Sequence, residues 1–349
     1  MSGREFLKKM TAVHGVSGYE GEVQKAFLEY IGSWAQDTGA DALGSVWGRI
    51  NVGRGPAVLL ECHADQIGFL VRYISEDGLI YLQPVGSHST KTAVSQRVLI
   101  QTKDGAVEGV IGTKPHHMQN SQERTRAPEI TEIWCDIGAA SAESVKRLVR
   151  PGDPVSYLSE YMELRGGERI AAPALDDRAG MYVVAEVFRR LSRDFCAVEV
   201  TALSSVQEEL GLRGAQAAIK AFKRPVVALV FDVCHAIDTP GLDKRLLGEA
   251  YLGKGPVIVR GPIASPKVVD KLTEIADRLS IKYQLVPSAA VSSTDAGIMQ
   301  LEGTEVETGV LSIPIRYMHT PSEILDVNDL EAAVELSEAF VRSFQGEGS

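Results

Sequence analysis

Three segments, "AVLLEC" (57–62), "VEVTALSSV" (198–206) and "PVVALVFDV" (225–233), are apolar almost without interruption. A strand with one wet face alternates apolar and polar residues, so strands without that alternation must be covered on both faces. Helical patterns separate and follow them: "RAGMYVVAEVFRRL" (178–191), "LRGAQAAIKAF" (212–222), "SPKVVDKLTEIADRL" (265–279) and "NDLEAAVELSEAFVRSF" (328–344). Ser265 is placed as an N-cap with Pro266 at the first helical position. The alternation predicts an α/β fold, a three-layer α/β/α sandwich around a mostly parallel or mixed sheet. Nearer the start, "SGYEGEVQKAFLEYIGSWA" (17–35) offers Ser17 and Glu20 as a capping box before apolar positions at helical spacing.

One stretch breaks the rhythm. From about residue 69 to 164 short runs flank Asp-Gly turns, as in "RYISEDGLIYLQPV" (72–85) and "RVLIQTKDGAVEGVI" (97–111), the pattern of β-hairpins. The predicted organisation is an α/β domain over 1–68 and 165–349, interrupted by an inserted β-rich domain over 69–164. The chain of 349 residues has length enough for that, and no internal repeat is visible.

A formal net charge of −10 argues against a nucleic-acid partner, because phosphate recognition wants a basic stripe. The cluster Lys146, Arg147 and Arg150 fits a solvated helix face. Cys62, Cys135, Cys196 and Cys234 lack CxxC spacing and sit in or beside apolar runs, as reduced core thiols of a cytoplasmic protein do. "MSGREFLKKMTAVHG" has an amphipathic helical pattern rather than that of a secretion signal, and no window has the length of a membrane span.

The polar residues that end the buried runs carry the chemistry. His63 and Asp65 follow the first run, Asp176 and Asp177 precede a helix, Glu208 and Glu209 follow the second run, Asp232 ends the third, and His319 stands in "IPIRYMHTPSE" (313–323). Ligands of open α/β sheets bind beyond the carboxyl ends of the strands, so these segments are predicted to share one crevice. Imidazole with carboxylate and no thiolate suits Zn²⁺, Co²⁺ or Mn²⁺ rather than Ca²⁺ or Mg²⁺. Five candidate ligands, with one aspartate able to bridge, suit two ions. Adjacent glutamates then divide the work: one binds an ion, and its neighbour takes a proton from water. Singly, each element has a plainer use, the histidine as a hydrogen-bonded strand end, the aspartates as caps and the glutamates as a solvated first turn. Their joint occurrence at successive strand ends favours the site.

The segments "GVSGYE", "HADQIGF", "ALDDRAG", "VQEELGLRGA", "DVCHAIDTP", "GKGP", "STDA" and "HTPSE" resemble, in this order and over nearly the whole chain, the motifs of the M42 family of dinuclear metallo-aminopeptidases, the glutamyl aminopeptidase and TET type. The resemblance implies that His63 and Asp232 hold one ion, that Glu209 and His319 hold the other, and that Asp176 bridges both. It also implies Glu208 as general base, with Asp65 orienting His63. The cofactors implied are two divalent ions per chain, Zn or Co, and the partners are peptide substrates and further copies of the chain, with the β insert mediating dimers and, in many relatives, a twelve-subunit particle. Gln66 departs from the family's usual acid, and Cys234 from its usual hydroxyl residue. His116 and His117 fall in the insert as turn or interface residues, while His14, His88 and His235 are read as structural.

The resulting reading is an exopeptidase whose free α-amine recognition limits cutting to the first residue. A metallo-deacylase acting on small amides is the related alternative. A glycosidase would need two acids flanking a sugar bond and has no use for His63 and His319. A non-catalytic binding protein would be expected to lack a ligand or Glu208. The residues that select the first side chain are expected near "GEAYLGKGP" (248–256) and "SSTDAG" (292–297).

Overall fold

Four parallel strands form the middle of the main sheet: Glu199–Ser205, Ala57–His63, Val227–His235 and Glu307–Ile315, side by side in that order. Their burial is nearly continuous along each strand, polar Thr201, Ser204, Ser205 and Thr308 included, as strands covered on both faces require. The computed structural model describes residues 1–194, 196–222, 226–289, 294–302 and 306–344. Two antiparallel strands, Val46–Ile50 and Asp37–Ala40, extend the sheet at one edge. Val257–Arg260 and Gln284–Pro287 complete its eight strands at the other, the first of them antiparallel to Glu307–Ile315.

Helices cover both faces. Gly3–Ala12, Gly21–Ile31, Leu175–Arg193, Pro266–Leu279 and Val327–Arg342 contribute to one core, with Phe6, Phe27, Phe188 and Phe340 fully buried. On the other face, Arg213–Ala218 and Asp295–Glu302 join a second core around Leu203, Ala228 and Met299. The fold is therefore the predicted α/β/α sandwich. Each fully buried large apolar side chain contributes about 1.5–3 kcal/mol, so such helix faces hold the layers together.

Between Ala57–His63 and Leu175–Arg193 the chain builds a closed six-stranded barrel from Gly68–Ile74, Ile80–Val85, Ile133–Asp136, Gly105–Thr113, Arg97–Thr102 and Pro154–Tyr157. The barrel fills itself with its own core, including Phe69, Leu82, Ile100, Ile111 and Val155. Closure leaves no unpaired edge, which an open hairpin array would. A small sheet of Met162–Glu163, Arg169–Ala172 and Glu323–Asp326 then pairs Ala172 with Glu323 and so draws together two segments distant in sequence.

The expected capping box does not form. Gly21–Ile31 has no side-chain cap, because the preceding loop turns at Gly18 (φ 88°) and its side chains point to the sheet. Ser17 Oγ donates to Asp65 Oδ2 at 2.5 Å, and Glu20 Oε1 accepts from the amides of Gly18 (2.7 Å) and Gln207 (3.1 Å). Ser265 and Pro266 do begin their helix as expected, although Ser265 makes no side-chain capping bond.

Candidate metal centre

Strand Ala57–His63 lies between Glu199–Ser205 and Val227–His235, and the chain reaches these neighbours on opposite sides. That reversal opens a crevice beyond the carboxyl ends of the strands, the usual ligand position in such sheets. His63 closes its strand, Asp232 lies near the end of the next, and Glu208 and Glu209 follow the third. The glutamates are not on the strand, which stops at Ser205; Gln207 turns the chain through a left-handed conformation (φ 57°) into a 3₁₀ turn, Glu208–Leu210. Both therefore stand beside the crevice.

Asp176 and Asp177 divide in function. Asp177 Oδ1 accepts the Gly180 amide at 2.8 Å, three residues on, in the manner of a helix cap. Gly180 is required there, since a Cβ would lie 2.2 Å from Asp177 Oδ2. Asp176 instead faces the crevice with both oxygens: Oδ1 is 3.1 Å from His63 Nε2 and Oδ2 is 3.2 Å from His319 Nε2. Asp232 Oδ1 lies 4.0 Å from His63 Nε2, and Glu209 Oε1 lies 3.2 Å from His319 Nε2. Two donor groups result, His63–Asp176–Asp232 and Asp176–Glu209–His319, each with ligand atoms within 4.8 Å of one another. All five predicted ligands fall into these groups, with Asp176 common to both.

Electrostatics supports a cation at each group. Burial pushes Glu208 up to about 10 and Asp232 to about 7, against the attraction of His63, and it raises Glu209. Burial would lower His319, but Asp176 and Glu209 outweigh it and push the imidazole up to about 11. Asp176 is the exception, held well below the usual range despite burial by His319 and His63. The two imidazoles do not satisfy four carboxylates, so the cluster binds protons or divalent cations. Nitrogen and oxygen donors without thiolate fit Zn²⁺, Co²⁺ or Mn²⁺. Cys234 belongs to neither group.

Two buried acids position this set. Asp65 Oδ1 accepts the Glu208 amide (2.9 Å) and Oδ2 the Glu209 amide (3.0 Å), while His63 Nδ1 lies 3.2 Å from the Asp65 carbonyl and 3.5 Å from its carboxylate. Burial alone would raise Asp65, but hydrogen bonds from His63, Ser17 and the Glu208 amide hold it low. Glu323 makes the matching arrangement, accepting the Asp176 amide (3.1 Å) and the His319 amide (2.7 Å). The sequence reading assigned Glu323 no role, though an acid opening the apolar run "EILD" was the available signal. Glu61, an acid inside "AVLLEC", is another: it is buried near Asp295, whose Oδ2 accepts Ser205 Oγ at 2.8 Å, and burial raises both carboxyls.

Gln66 belongs to neither donor group. Its Oε1 accepts the Gly15 amide at 3.3 Å and Arg178 Nη2 at 3.4 Å, and the fully buried Arg178 also donates to the carbonyls of Met10 and Ala64. His116 and His117 lie exposed on a 3₁₀ turn of the barrel and in neither donor group. His14 accepts or donates to Ser156 Oγ at 2.7 Å, and His88 stacks on Phe69. Cys62, Cys135 and Cys196 are buried free thiols, and Cys234 is half-buried.

The sequence profile of the M42 glutamyl aminopeptidase family matches residues 44–336. The lysyl aminopeptidase of Pyrococcus furiosus is 33% identical over 344 residues, covering 98% of this chain and 97% of that protein. The TET aminopeptidase of a marine-sediment thaumarchaeon superposes with a TM-score of 0.93 at 31% identity, over 97% of this chain and 96% of the other. Pyrococcus horikoshii TET1 peptidase, described as assembling into a tetrahedron or a large octahedral shell, gives a TM-score of 0.87 at 31% identity, over 97% and 99%. Sequence, fold and the composition of the crevice thus agree that this chain belongs to the M42 family of aminopeptidases and is a hydrolase of that family.

Proposed function

We propose that the chain removes the first residue from peptides, with His63 and Asp232 holding one divalent ion, Glu209 and His319 the other, and Asp176 bridging them. The observation that carries this reading is the bifacial placement of Asp176, each oxygen against a different imidazole. Two such ions, Zn²⁺ or Co²⁺, would polarise the scissile carbonyl, acidify water and receive the free α-amine. Glu208 takes the proton from the attacking water and returns it to the departing amide nitrogen. Burial raises the Glu208 carboxyl, and cations held beside it would lower it again toward the neutral range in which a base accepts a proton and gives it back. Asp65 fixes the Glu208 and Glu209 main chain and the His63 ring, and Glu323 does the same for Asp176 and His319.

The chain is also proposed to act as a homo-oligomer built from dimers, with the barrel supplying the contact. Tyr73, Val110 and Met118 support this as large apolar side chains exposed on that domain (57%, 46% and 70%). No helix among the described residues is long and apolar enough to cross a membrane.

Elemental analysis of purified protein tests the centre: two divalent ions per chain are expected, both lost in Asp176→Ala. Stripping with EDTA should abolish hydrolysis of aminoacyl-p-nitroanilides, and added Zn²⁺ or Co²⁺ should restore it. Glu209→Gln should lose metal, with activity partly regained in excess metal. Glu208→Gln should keep both ions while turnover falls about 10²–10⁴-fold. One ion per chain, or full loading of Asp176→Ala, refutes the shared-ligand arrangement.

A further inference from the structure

Two cavities adjoin the donor cluster, and they differ in capacity. One, beside Asp176, Glu209 and His319 and walled by Ile67, Tyr157 and Pro173, has about 10 Å³, room for a single water at most. The other begins at Asp232 and has about 530 Å³, within the range of roughly 300–1,000 Å³ typical of small-ligand pockets. It follows the strand from Asp232 to Cys234 and is bounded by Val257, Val259 and Val286. Ala250 and Thr294, from the two segments singled out in the sequence, also line it; Ser292 and Ser293 lie outside the described residues. Of these two cavities, only the larger has room for the side chain of a first residue held at the donor cluster.

Charge is nearly absent from that place. Among the described lining residues only Asp232 and His235 can carry one at neutral pH, and Asp232 belongs to a donor group. Partial burial, then the charge of His319, lowers His235 below its ordinary value, which favours the neutral ring. Of the cations next to the lining segments in sequence, Lys244 pairs with Glu249 at 2.7 Å and Arg245 with Asp243 at 2.6 Å, and Arg260 is exposed and does not line the cavity. Leu246 and Leu247, adjacent large apolar side chains left 83% and 40% exposed, line the cavity. An ammonium or carboxylate entering this cavity would give up water without gaining a partner.

We propose that the cavity receives the side chain of the substrate's first residue and selects bulky uncharged ones, of the leucine, methionine and phenylalanine kind, over lysine and glutamate. The proposal rests on the aminopeptidase reading. Its size argues against a preference for alanine, because a small side chain would leave the apolar walls hydrated. Its walls argue against charge.

The test is kcat/KM of the metal-loaded full-length enzyme on leucyl-, methionyl-, phenylalanyl-, alanyl-, lysyl- and glutamyl-p-nitroanilide. The leucyl, methionyl and phenylalanyl substrates should exceed the lysyl and glutamyl ones by about 10²-fold, and the alanyl one by at least about 10-fold. Lysyl or glutamyl hydrolysis at the leucyl rate overturns the selection, and alanyl hydrolysis at that rate overturns the cavity assignment. Failure on all six with metal loaded instead refutes the aminopeptidase reading, and the proposal with it. Val286→Glu places a carboxylate on the half-buried cavity wall and should raise the lysyl-to-leucyl ratio by about 10-fold or more. Leu247→Glu, at an already exposed position, gives the same comparison if the first variant does not fold. An unchanged ratio in a folded, metal-loaded variant excludes the cavity as the side-chain site.

Discussion

Asp65→Asn isolates what a buried carboxylate does for the centre, since it preserves shape and removes charge. In the protein the Asp65 carboxylate accepts the Glu208 amide (2.9 Å), the Glu209 amide (3.0 Å) and Ser17 Oγ (2.5 Å), with His63 Nδ1 farther off at 3.5 Å. Asparagine has one accepting oxygen and one donating NH₂. Whichever way its amide is turned, either the Glu208 or the Glu209 N–H faces a donor. Ser17 escapes this conflict, because its hydroxyl can rotate to accept. An orphaned buried donor costs about 1–3 kcal/mol, and the strain falls on the main chain of the proposed base or of its neighbouring ligand. Expressed in the transition state, that is roughly 10–10²-fold in kcat/KM. Ser17→Ala is the control: it removes a hydrogen bond from Asp65 but leaves both amides matched, so kcat/KM should stay within about threefold, less than 1 kcal/mol. The assay is leucyl-p-nitroanilide hydrolysis with metal content measured on the same samples. Wild-type kcat/KM in fully loaded Asp65→Asn, or an equal loss in Ser17→Ala, refutes the reasoning.

Two further outcomes follow from the fold. Removing about residues 71–162 with a short linker should reduce particle mass by light scattering, since the barrel has its own core and the main sheet keeps both of its own; an unchanged mass excludes the barrel as the subunit contact. Burial, with weaker help from Asp65, raises Glu20 to about 7, so its protonated form is favoured by folding; that contribution is complete below about pH 4.5 and lost as pH rises through about 7. Glu20→Gln keeps an acceptor for the Gly18 and Gln207 amides and cannot ionise, so it should match wild type near pH 5 and exceed its stability by about 2–3 kcal/mol at pH 8. Parallel stability curves for the two proteins would contradict this.

The sequence made the sheet legible because burial on both faces leaves an unbroken apolar run, a pattern carried by each strand alone. It made the donor residues legible for a related reason: His63, Asp232 and the glutamates stand where such runs end, so their polarity is conspicuous. The Ser17–Glu20 expectation failed because a capping box is a local pattern, whereas both side chains are claimed by partners far along the chain, Asp65 and Gln207. The turn at Gln207 that brings Glu208 and Glu209 beside the crevice depends on a left-handed residue that composition does not announce. Glu323 escaped assignment because its value lies in two amides, at Asp176 and His319, that only the pairing of Arg169–Ala172 with Glu323–Asp326 brings within reach.

Asp65 and Glu323 together explain how loops can present ligands with the precision that chemistry requires. The donors come from segments spread from residue 63 to residue 319, and side-chain placement is only as exact as the main chain behind it. A carboxylate is an acceptor with two oxygens, so each one ties two amides at once: Asp65 joins the first strand's end to both glutamates, and Glu323 joins the Asp176 segment to His319. Amide side chains would tie only one amide each without conflict. The choice adds negative charge to a cluster already rich in it, which raises its demand for cations. Arg178, buried behind the site, offsets part of that charge; its Nη2 meets Gln66 rather than an acid, so its field acts on Asp65 and Asp177. The same acids that fix the geometry thus also add to the negative charge that the proposed divalent ions would neutralise.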